Sequence, residues 1–223
     1  MKRIIALVLL GICGTALQAA PLAFTDTLYL TDSFASVGAA SDAKSDSNPP
    51  TAFPLLTIAA VDADTASASA AGSADLGFLG SAASASSTVD PASALASSEF
   101  IGNFVAPLGG IRLSLNFDTL NNGTGGTTVE SSILLTLIAD GETFLNEVFN
   151  TAQSIDRLIA LPIGALATLD LLLTSSADAT NGDALAVATL SFQASQVPVA
   201  PTVVLMLMGL LCLAYRLRRQ RHH

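Results

Sequence analysis

Apolar and polar residues alternate along much of this chain. Between residues 111 and 117 every second side chain, from Ile111 to Phe117, is apolar, and the residues between them are polar. Side chains along a strand point to opposite faces in turn, so this pattern predicts a strand that buries one face only. Residues 184–192 likewise place Leu190 and Phe192 on one face of a predicted strand.

Turn residues divide the alternating segments into strand pairs. Asp140 and Gly141 separate residues 133–139 from residues 142–149, and an Asp-Gly pair favours a tight hairpin because such turns need positive φ angles. Residues 165–174 and 184–192 form a second predicted pair of strands. The predicted loops are residues 44–54, 121–126 and 175–183.

Two segments rich in alanine and serine, residues 63–74 and 81–98, have no clear period. Glycines punctuate the interval between them, and alternation within 66–70 favours strands over helices, with a short helix expected at 93–100. Many short strands with frequent turns, and no wide amphipathic helix, predict an all-β fold: an antiparallel β-sandwich that is jelly-roll-like.

The first 19 residues have the layout of a secretory signal peptide. Lys2 and Arg3 precede an apolar stretch at 4–12, and small residues at Ala19 and Ala20 offer a cleavage site. The chain is therefore expected to meet the translocation machinery and signal peptidase and to be exported, with cleavage after Ala19.

The last 26 residues, 198–223, have a three-part layout. A proline-marked break precedes an apolar stretch at 203–215, which a basic cluster follows. As a helix the apolar stretch would span roughly 20 Å, against about 30 Å for the apolar part of a bilayer. Arginines on the cytoplasmic side would hold such a transmembrane helix in place. The break is Pro198, Val199, Ala200 and Pro201, and the basic cluster is Arg216, Arg218, Arg219 and Arg221.

This tail resembles the PEP-CTERM sorting signal of Gram-negative bacteria. In that family a Pro-Glu-Pro-like motif precedes the apolar helix and arginines end it; here Val199 and Ala200 stand where one glutamate is usual. The resemblance implies that an exosortase-type enzyme processes the tail near residues 198–201 after a transient stay in the inner membrane. It also implies a destination at the cell surface or in an exopolysaccharide matrix. An uncut tail would instead be an ordinary C-terminal membrane anchor.

Removing both ends leaves a body, residues 20–197, of unusual composition. It retains all 18 carboxylates but only Lys44, Arg112 and Arg157 as cations, a net charge of −15. It has no cysteine and no histidine, which excludes a disulfide framework, thiol or imidazole catalysis and Cys/His zinc sites. Such an acidic domain repels nucleic acid and favours solubility or cation binding.

After these exclusions, carboxylates are the remaining candidates for catalytic groups and metal ligands. A carboxylate-dependent glycosidase would need a pair drawn from residues such as Glu99, Glu130, Glu142 and Glu147. Calcium is the only cofactor that the composition suggests. Asp178, Asn181 and Asp183 surround Gly182 in the predicted loop and offer oxygen ligands for it.

Glycan binding is the main alternative function. Sugar sites usually present aromatic rings beside polar groups, yet the chain has no tryptophan, and Tyr29 is its only tyrosine outside the tail. A weak glycan-binding module therefore ranks second, and a glycosidase third. The sequence favours a non-enzymatic surface or matrix protein, built as a signal peptide at 1–19, a β-sandwich at 20–197 and a sorting tail at 198–223.

Overall fold

The computed structural model describes residues 19–48 and 54–198 of the chain. Every regular element in these ranges is a β-strand, and none of their residues forms a helix long and apolar enough to cross a membrane. The strands are β1 Asp26–Val37, β2 Ala40–Asn48, β3 Leu55–Ala63, β4 Ala66–Asp75, β5 Phe78–Ser87, β6 Ala92–Val105, β7 Ile111–Gly123, β8 Gly126–Ala139, β9 Glu142–Phe149, β10 Gln153–Ile159 and β11 Leu166–Gln196.

The strands form two sheets that share β11, and every pairing is antiparallel. Sheet I has the order β2-β1-β6-β11-β8-β9 and uses the first half of β11. Sheet II has the order β3-β4-β5-β11-β7-β10 and uses the second half. The predicted all-β, antiparallel, sandwich-like fold is confirmed. The signal peptide and the C-terminal helix lie outside the described residues.

The strand β11 bends from one sheet into the other. Its pairing with β8 shifts register between Ala179 and Asn181, and Gly182 follows with a φ of 122° that favours glycine. The neighbours of β11 also pass from one sheet to the other at this point. On one side β5 of sheet II leads into β6 of sheet I, and on the other side β7 of sheet II leads into β8 of sheet I. The sheets are therefore joined by continuous chain at this end, which we name the bend.

Several local predictions need correction. The predicted loop at 175–183 is part of β11, because strands pair with it along both edges. The predicted helix at 93–100 lies inside β6 for the same reason. The loop predicted at 121–126 shrinks to a turn at 124–125, and residues 44–48 belong to β2.

The hairpin predicted at Asp140 and Gly141 is confirmed. It joins β8 to β9, and the two turn residues have φ angles of 49° and 82°. Asp140 also fixes the turn against β11, because its carboxylate accepts a hydrogen bond of 3.0 Å from the Leu166 N–H.

Three zones make up the interior. The zone far from the bend is a leucine–phenylalanine core, with Phe100, Phe104, Phe117 and Leu171 among its fully buried members. The zone next to the bend is an alanine core. Its buried members are Ala35, Val37, Ala59, Ala66, Ala68, Ala70, Ala83, Ala85, Ala92, Ala94, Ala96, Ala177, Ala179, Ala184 and Ala186.

A belt of buried hydroxyl groups crosses the sandwich between the two cores. Its members, the hydroxyl belt, are Thr31, Ser33, Thr57, Ser81, Ser98, Ser131 and Ser175. Several of them join the sheets directly: Ser33 Oγ lies 2.8 Å from Thr57 Oγ1, and Ser81 Oγ lies 2.7 Å from Ser175 Oγ. Buried hydroxyls are costly unless they are hydrogen-bonded, so these bonds favour one alignment of the sheets.

Gly72 shows how closely the sheets approach at the belt. Its N–H donates a hydrogen bond of 3.1 Å across the sandwich to Ser33 Oγ. A Cβ at this position would lie 2.6 Å from the carbonyl oxygen of Ser97 in the opposite sheet. Glycine is therefore required here by close approach of two backbones.

Candidate functional site

Both ends of the body meet at the pole opposite the bend. The Gln196 N–H donates a hydrogen bond of 2.8 Å to the Ala20 carbonyl, and the Leu22 N–H donates one of 2.9 Å to the Ala194 carbonyl. Pro21 forms an isolated antiparallel bridge with Ser195. The chain directly after the predicted signal cleavage site thus runs beside the end of β11, and Pro198 follows two residues beyond Gln196.

Phe24 ties the N-terminal segment to the interior. Its ring meets those of Phe100 and Phe104 edge-on, at centroid distances of 5.3 and 5.8 Å. The Thr25 N–H adds a hydrogen bond of 2.7 Å to the Asn103 carbonyl. Residues after the predicted cleavage site therefore belong to the folded body, whereas Ala19 and Ala20 themselves are exposed.

The other parts of the predicted sorting signal lie outside the described residues. These are Val199, Ala200 and Pro201 of the processing motif, and Arg216, Arg218, Arg219 and Arg221 of the basic cluster.

The outer face of sheet I carries a shallow groove of about 240 Å³ near its β2 edge. Phe34 and Leu95 face each other across β1 and β6 and remain 40% and 47% exposed. The next row along the strands is polar and places Asp32 beside Ser97. The groove therefore combines an exposed ring with a carboxylate and hydroxyl groups.

Lys44 borders this groove, but it lies opposite the buried Ser33, on the other face of the sheet from Phe34. Its ammonium group lies 2.9 Å from a carboxylate oxygen of Asp42. That carboxylate also accepts a hydrogen bond of 3.3 Å from the Ala60 N–H of β3, which links the edge strands of the two sheets. The groove therefore has no strong positive field with which to attract an anionic ligand.

A pair of carboxyl groups lies further along the same outer face. Glu99 of β6 is opposite Leu172 of β11, while Asp170 of β11 is opposite Ile101 of β6. The two acidic residues are thus diagonal neighbours across the strand pair, within reach of each other. Their side chains are half-buried and hydrogen-bonded to each other.

The surroundings of this pair favour its protonated form. Burial, followed by the negative charge of Asp170, its hydrogen bond and the more distant charge of Asp32, raises the pKa of Glu99 to about 7. Burial also raises the pKa of Asp170, although the hydrogen bond from Glu99 works in the opposite direction. Two carboxyl groups in contact cannot easily both ionise.

The structure does not bring the four predicted glutamates together. Glu130 is exposed on β8, Glu142 begins β9 at the hairpin turn, and Glu147 binds Arg157 with a distance of 3.3 Å. Glu99 instead contacts Asp170, which is not one of the predicted catalytic residues. The sequence offered one sign of Asp170, because it is a single carboxylate at an alternating position inside the leucine-rich segment 166–174.

The direct hydrogen bond between Glu99 and Asp170 differs from the arrangement in a glycosidase site. Glycosidases hold their two carboxyl groups about 5–9.5 Å apart, so that a sugar or a water fits between them. Carboxyl groups that bond directly to each other leave no such space. This pair is suited to sharing a proton rather than to flanking a glycosidic bond.

The residues predicted to bind calcium flank the bend. Asp178 lies on the outer face of sheet I, where its carboxylate accepts a hydrogen bond from Ser93. Asp183 lies on sheet II, where it accepts one of 2.6 Å from Ser86. Asn181 sits between them at the register shift. Calcium binding by these residues stays a prediction, and in the described ranges no three acidic side chains are grouped as metal ligands.

Comparisons with known proteins give structural likenesses but no family. No family model matches the chain, and no curated protein matches it. Among solved structures it is similar to the carbohydrate-binding module TmCBM61 in complex with beta-1,4-galactotriose, at 12% sequence identity and a TM-score of 0.24. The match covers 56% of this chain and 86% of that one. A likeness at this TM-score carries no argument about function.

Proposed function

We propose that this chain is an exported, non-enzymatic β-sandwich protein of the bacterial surface or extracellular matrix. A signal peptide starts its export through the inner membrane, and a PEP-CTERM-like tail directs its final placement. The observation that carries the proposal is the pairing of Ala20 and Leu22 with Gln196 and Ala194. Ala20, the first residue after the predicted signal cleavage, and Pro198, the first residue of the predicted tail motif, both lie outside the strands, so cleavage before Ala20 and after Pro198 would break none of the described strands.

The body has properties that suit a life outside the cell. A continuous central strand and a leucine–phenylalanine core hold it together without any disulfide bond. Its net charge of −15 keeps copies apart and favours solubility. Serine and threonine cover much of the outer face of sheet I, which gives that face many groups able to hydrogen-bond with a hydrated matrix.

The proposed partners act in sequence. The translocation machinery and signal peptidase handle residues 1–19, and the inner membrane holds the tail until an exosortase-type enzyme cuts it. A tail that is never cut would make the protein a membrane-anchored one with the same body.

Intact mass spectrometry tests this proposal. Protein should be recovered from the culture supernatant and from the cell envelope of the producing bacterium. We expect a species that begins at Ala20 and ends near residues 198–201. Cytoplasmic protein of the full mass, from Met1 to His223, would contradict export altogether. An envelope species that begins at Ala20 and still ends at His223 would favour the plain membrane anchor.

A variant of the basic cluster tests the tail separately. Replacing Arg216, Arg218, Arg219 and Arg221 with glutamine removes the positive charge that holds the helix on the cytoplasmic side. Retention and processing should both be impaired, while cleavage after Ala19 should continue. Unchanged processing of this variant would contradict a sorting role for the tail.

Weak glycan binding is a second candidate function, and the groove at Phe34 favours it. An exposed ring stacks on the apolar face of a sugar, while Asp32 and Ser97 offer hydrogen-bonding groups in the next row. The body's charge repels acidic polymers, so the ligand would be a neutral or amino-sugar unit. With a single ring in the groove, we propose an affinity of about millimolar, roughly 4 kcal/mol.

Two matched variants test the groove. Phe34→Ala should abolish chemical-shift changes on titration with neutral oligosaccharides. Phe78→Ala, which removes a ring of similar exposure on β5 of sheet II, should leave them in place. Equal binding by both variants would remove the groove as a glycan site. A carboxylate-dependent glycosidase ranks third, because Glu99 and Asp170 lack the required separation.

A further inference from the structure

One oxygen of Asp170 lacks an ordinary hydrogen-bond donor. Its Oδ1 atom is fully buried, and no N–H or hydroxyl group of the described residues bonds to it. The group that does contact Asp170 is the carboxyl of Glu99. Two ionised carboxylates would both be acceptors, whereas a protonated Glu99 supplies an O–H donor to the Asp170 carboxylate. An unpaired buried acceptor is costly, so the geometry favours one proton on this pair.

The side chains around the pair offer no compensating positive charge. On β1, Leu30 lies opposite Glu99, and Asp32 lies one row away. On β11, Leu172 is opposite Glu99, and on β8 the neutral Thr136 is opposite Asp170. The other acidic groups on this face are more distant: Asp26 at the start of β1, Asp178 near the bend and Glu130 on β8.

All cations in the described parts of the chain are bound elsewhere. Lys44 pairs with Asp42, Arg112 with Asp156 and Arg157 with Glu147. A second negative charge at Glu99 would therefore face Asp170 with no counterion nearby. Water at the surface screens such a charge only in part, since both side chains are half-buried.

We propose that Glu99 and Asp170 bind one shared proton, and that loss of this proton weakens the seam between β6 and β11, so that the body responds to pH near neutrality. The shared proton bridges two strands at the centre of sheet I. Its release removes the hydrogen bond between the two carboxyl groups and sets two negative charges against each other across the seam.

The direction of the pH effect follows from the raised pKa of Glu99. The folded chain keeps its proton up to a pH of about 7, whereas the usual value for this side chain is 4.5. Between these values the folded state binds a proton that the unfolded state has released. The contribution of this pair to stability is thus fully present below pH 4.5 and is lost as the pH rises through about 7. The acidic pairs Asp42–Lys44 and Asp156–Arg112 act in the opposite direction but at lower pH, because their cations lower the pKa of each aspartate.

Thermal unfolding of the full chain at pH 5.5 and 8.5 tests the proposal. Between pH 5.5 and pH 8.5, we expect the melting temperature of the wild type to fall by about 2–4 °C more than that of Glu99→Gln. The glutamine amide donates to Asp170 at every pH, so this variant should lose the dependence. Asp170→Asn should lose it as well, because its amide donates to Glu99. Glu130→Gln, on the same face but outside the pair, should behave as the wild type does.

A direct titration covers the case in which a variant fails to fold. Carbon-13 NMR of the wild-type side-chain carboxyls should show one glutamate with a midpoint near 7. A spectrum in which every glutamate titrates near about 4.3 would overturn the proposal. Parallel melting curves for the wild type and Glu99→Gln across this pH range would overturn it too.

Discussion

The alanine core and the leucine–phenylalanine core are built by the same strands at different distances from the bend. In β6, Ala92, Ala94 and Ala96 point inward near the bend, and Phe100 and Phe104 point inward at the far end. The strand β11 repeats this order on both sides of its bend, from alanine to leucine. Side-chain size therefore increases with distance from the place where the sheets are joined.

The physical reason is the space between the sheets. Continuous chain joins the two sheets at the bend, where the buried side chains are almost all alanine. Since protein interiors are packed at a nearly constant density, we infer from the smaller side chains that the gap between the sheets is narrower there than at the far end. The hydroxyl belt lies between the alanine core and the leucine–phenylalanine core, and there Ser81 and Ser175 form a hydrogen bond from one sheet to the other.

The two cores also contribute differently to stability. A buried leucine or phenylalanine gains about 1.5–3 kcal/mol from the hydrophobic effect, whereas an alanine methyl gains far less. Most of the hydrophobic stabilisation thus comes from the pole where residues 20–22 pair with residues 194–196. The alanine core instead permits dense backbone pairing around β11.

The largest expected effect is at the leucine–phenylalanine core. Phe100→Ala should lower the free energy of unfolding by about 3–5 kcal/mol, because it removes a fully buried ring that contacts Phe24, Tyr29 and Phe192. Urea unfolding followed by circular dichroism measures the change. Phe34→Ala on the outer face of the same sheet is the control and should cost under about 1 kcal/mol. Similar losses for both variants would contradict the assignment of inner and outer faces.

A smaller effect is expected in the alanine core, where the substitution adds a side chain that is too large instead of leaving a cavity. Ala83 lies in a row with Ala59, Ala70 and Ala186 and is fully buried. Ala83→Leu should destabilise by about 1–3 kcal/mol, because the joined sheets cannot move apart to admit the larger side chain. Ala82→Leu, one residue away on the outer face, should be nearly neutral in the same urea experiment. If Ala83→Leu proved neutral or stabilising, the interior would not narrow toward the bend.

The smallest effect should come from the hydroxyl belt. Ser175→Ala should cost about 1 kcal/mol, since it leaves Ser81 without its partner across the sandwich. Adding Ser81→Ala should cost little more, because the orphaned hydroxyl is then removed. A double-mutant cycle by urea unfolding measures this coupling. Strictly additive losses would show that the belt does not act as a linked set.

Local patterns predicted the strands with strong alternation and failed where pairing decided the outcome. The strand at residues 111–117 and the hairpin at Asp140 were predicted from the sequence, because apolar–polar alternation and turn residues are local properties. Residues 175–183 contain serine, asparagine, aspartate and glycine, which favour a loop when taken alone. They form a strand because β6 and β8, then β5 and β7, satisfy their backbone groups from both sides.

The carboxyl pair shows the same limit for the site. The sequence displays Glu99 and Asp170 as two acids among 18, separated by 71 residues. Their contact depends on the register of β6 against β11, since a shift of one residue would turn one of them to the other face. Long-range register is fixed by the whole sandwich, so no local signal distinguished this pair from Glu130, Glu142 or Glu147.

The sequence by itself determined the all-β class, the absence of cysteine and histidine from residues 20–197, the acidic charge of those residues and the predicted export signals at both ends. These follow from composition and short-range pattern, which need no contact between distant residues. Tertiary structure alone decided the shared strand β11, the gathering of the alanines next to the bend, the pairing of residues 20–22 with residues 194–196 and the Glu99–Asp170 pair. Each of these depends on which strands lie side by side and in which register. That choice is made by packing and hydrogen bonding over the whole body.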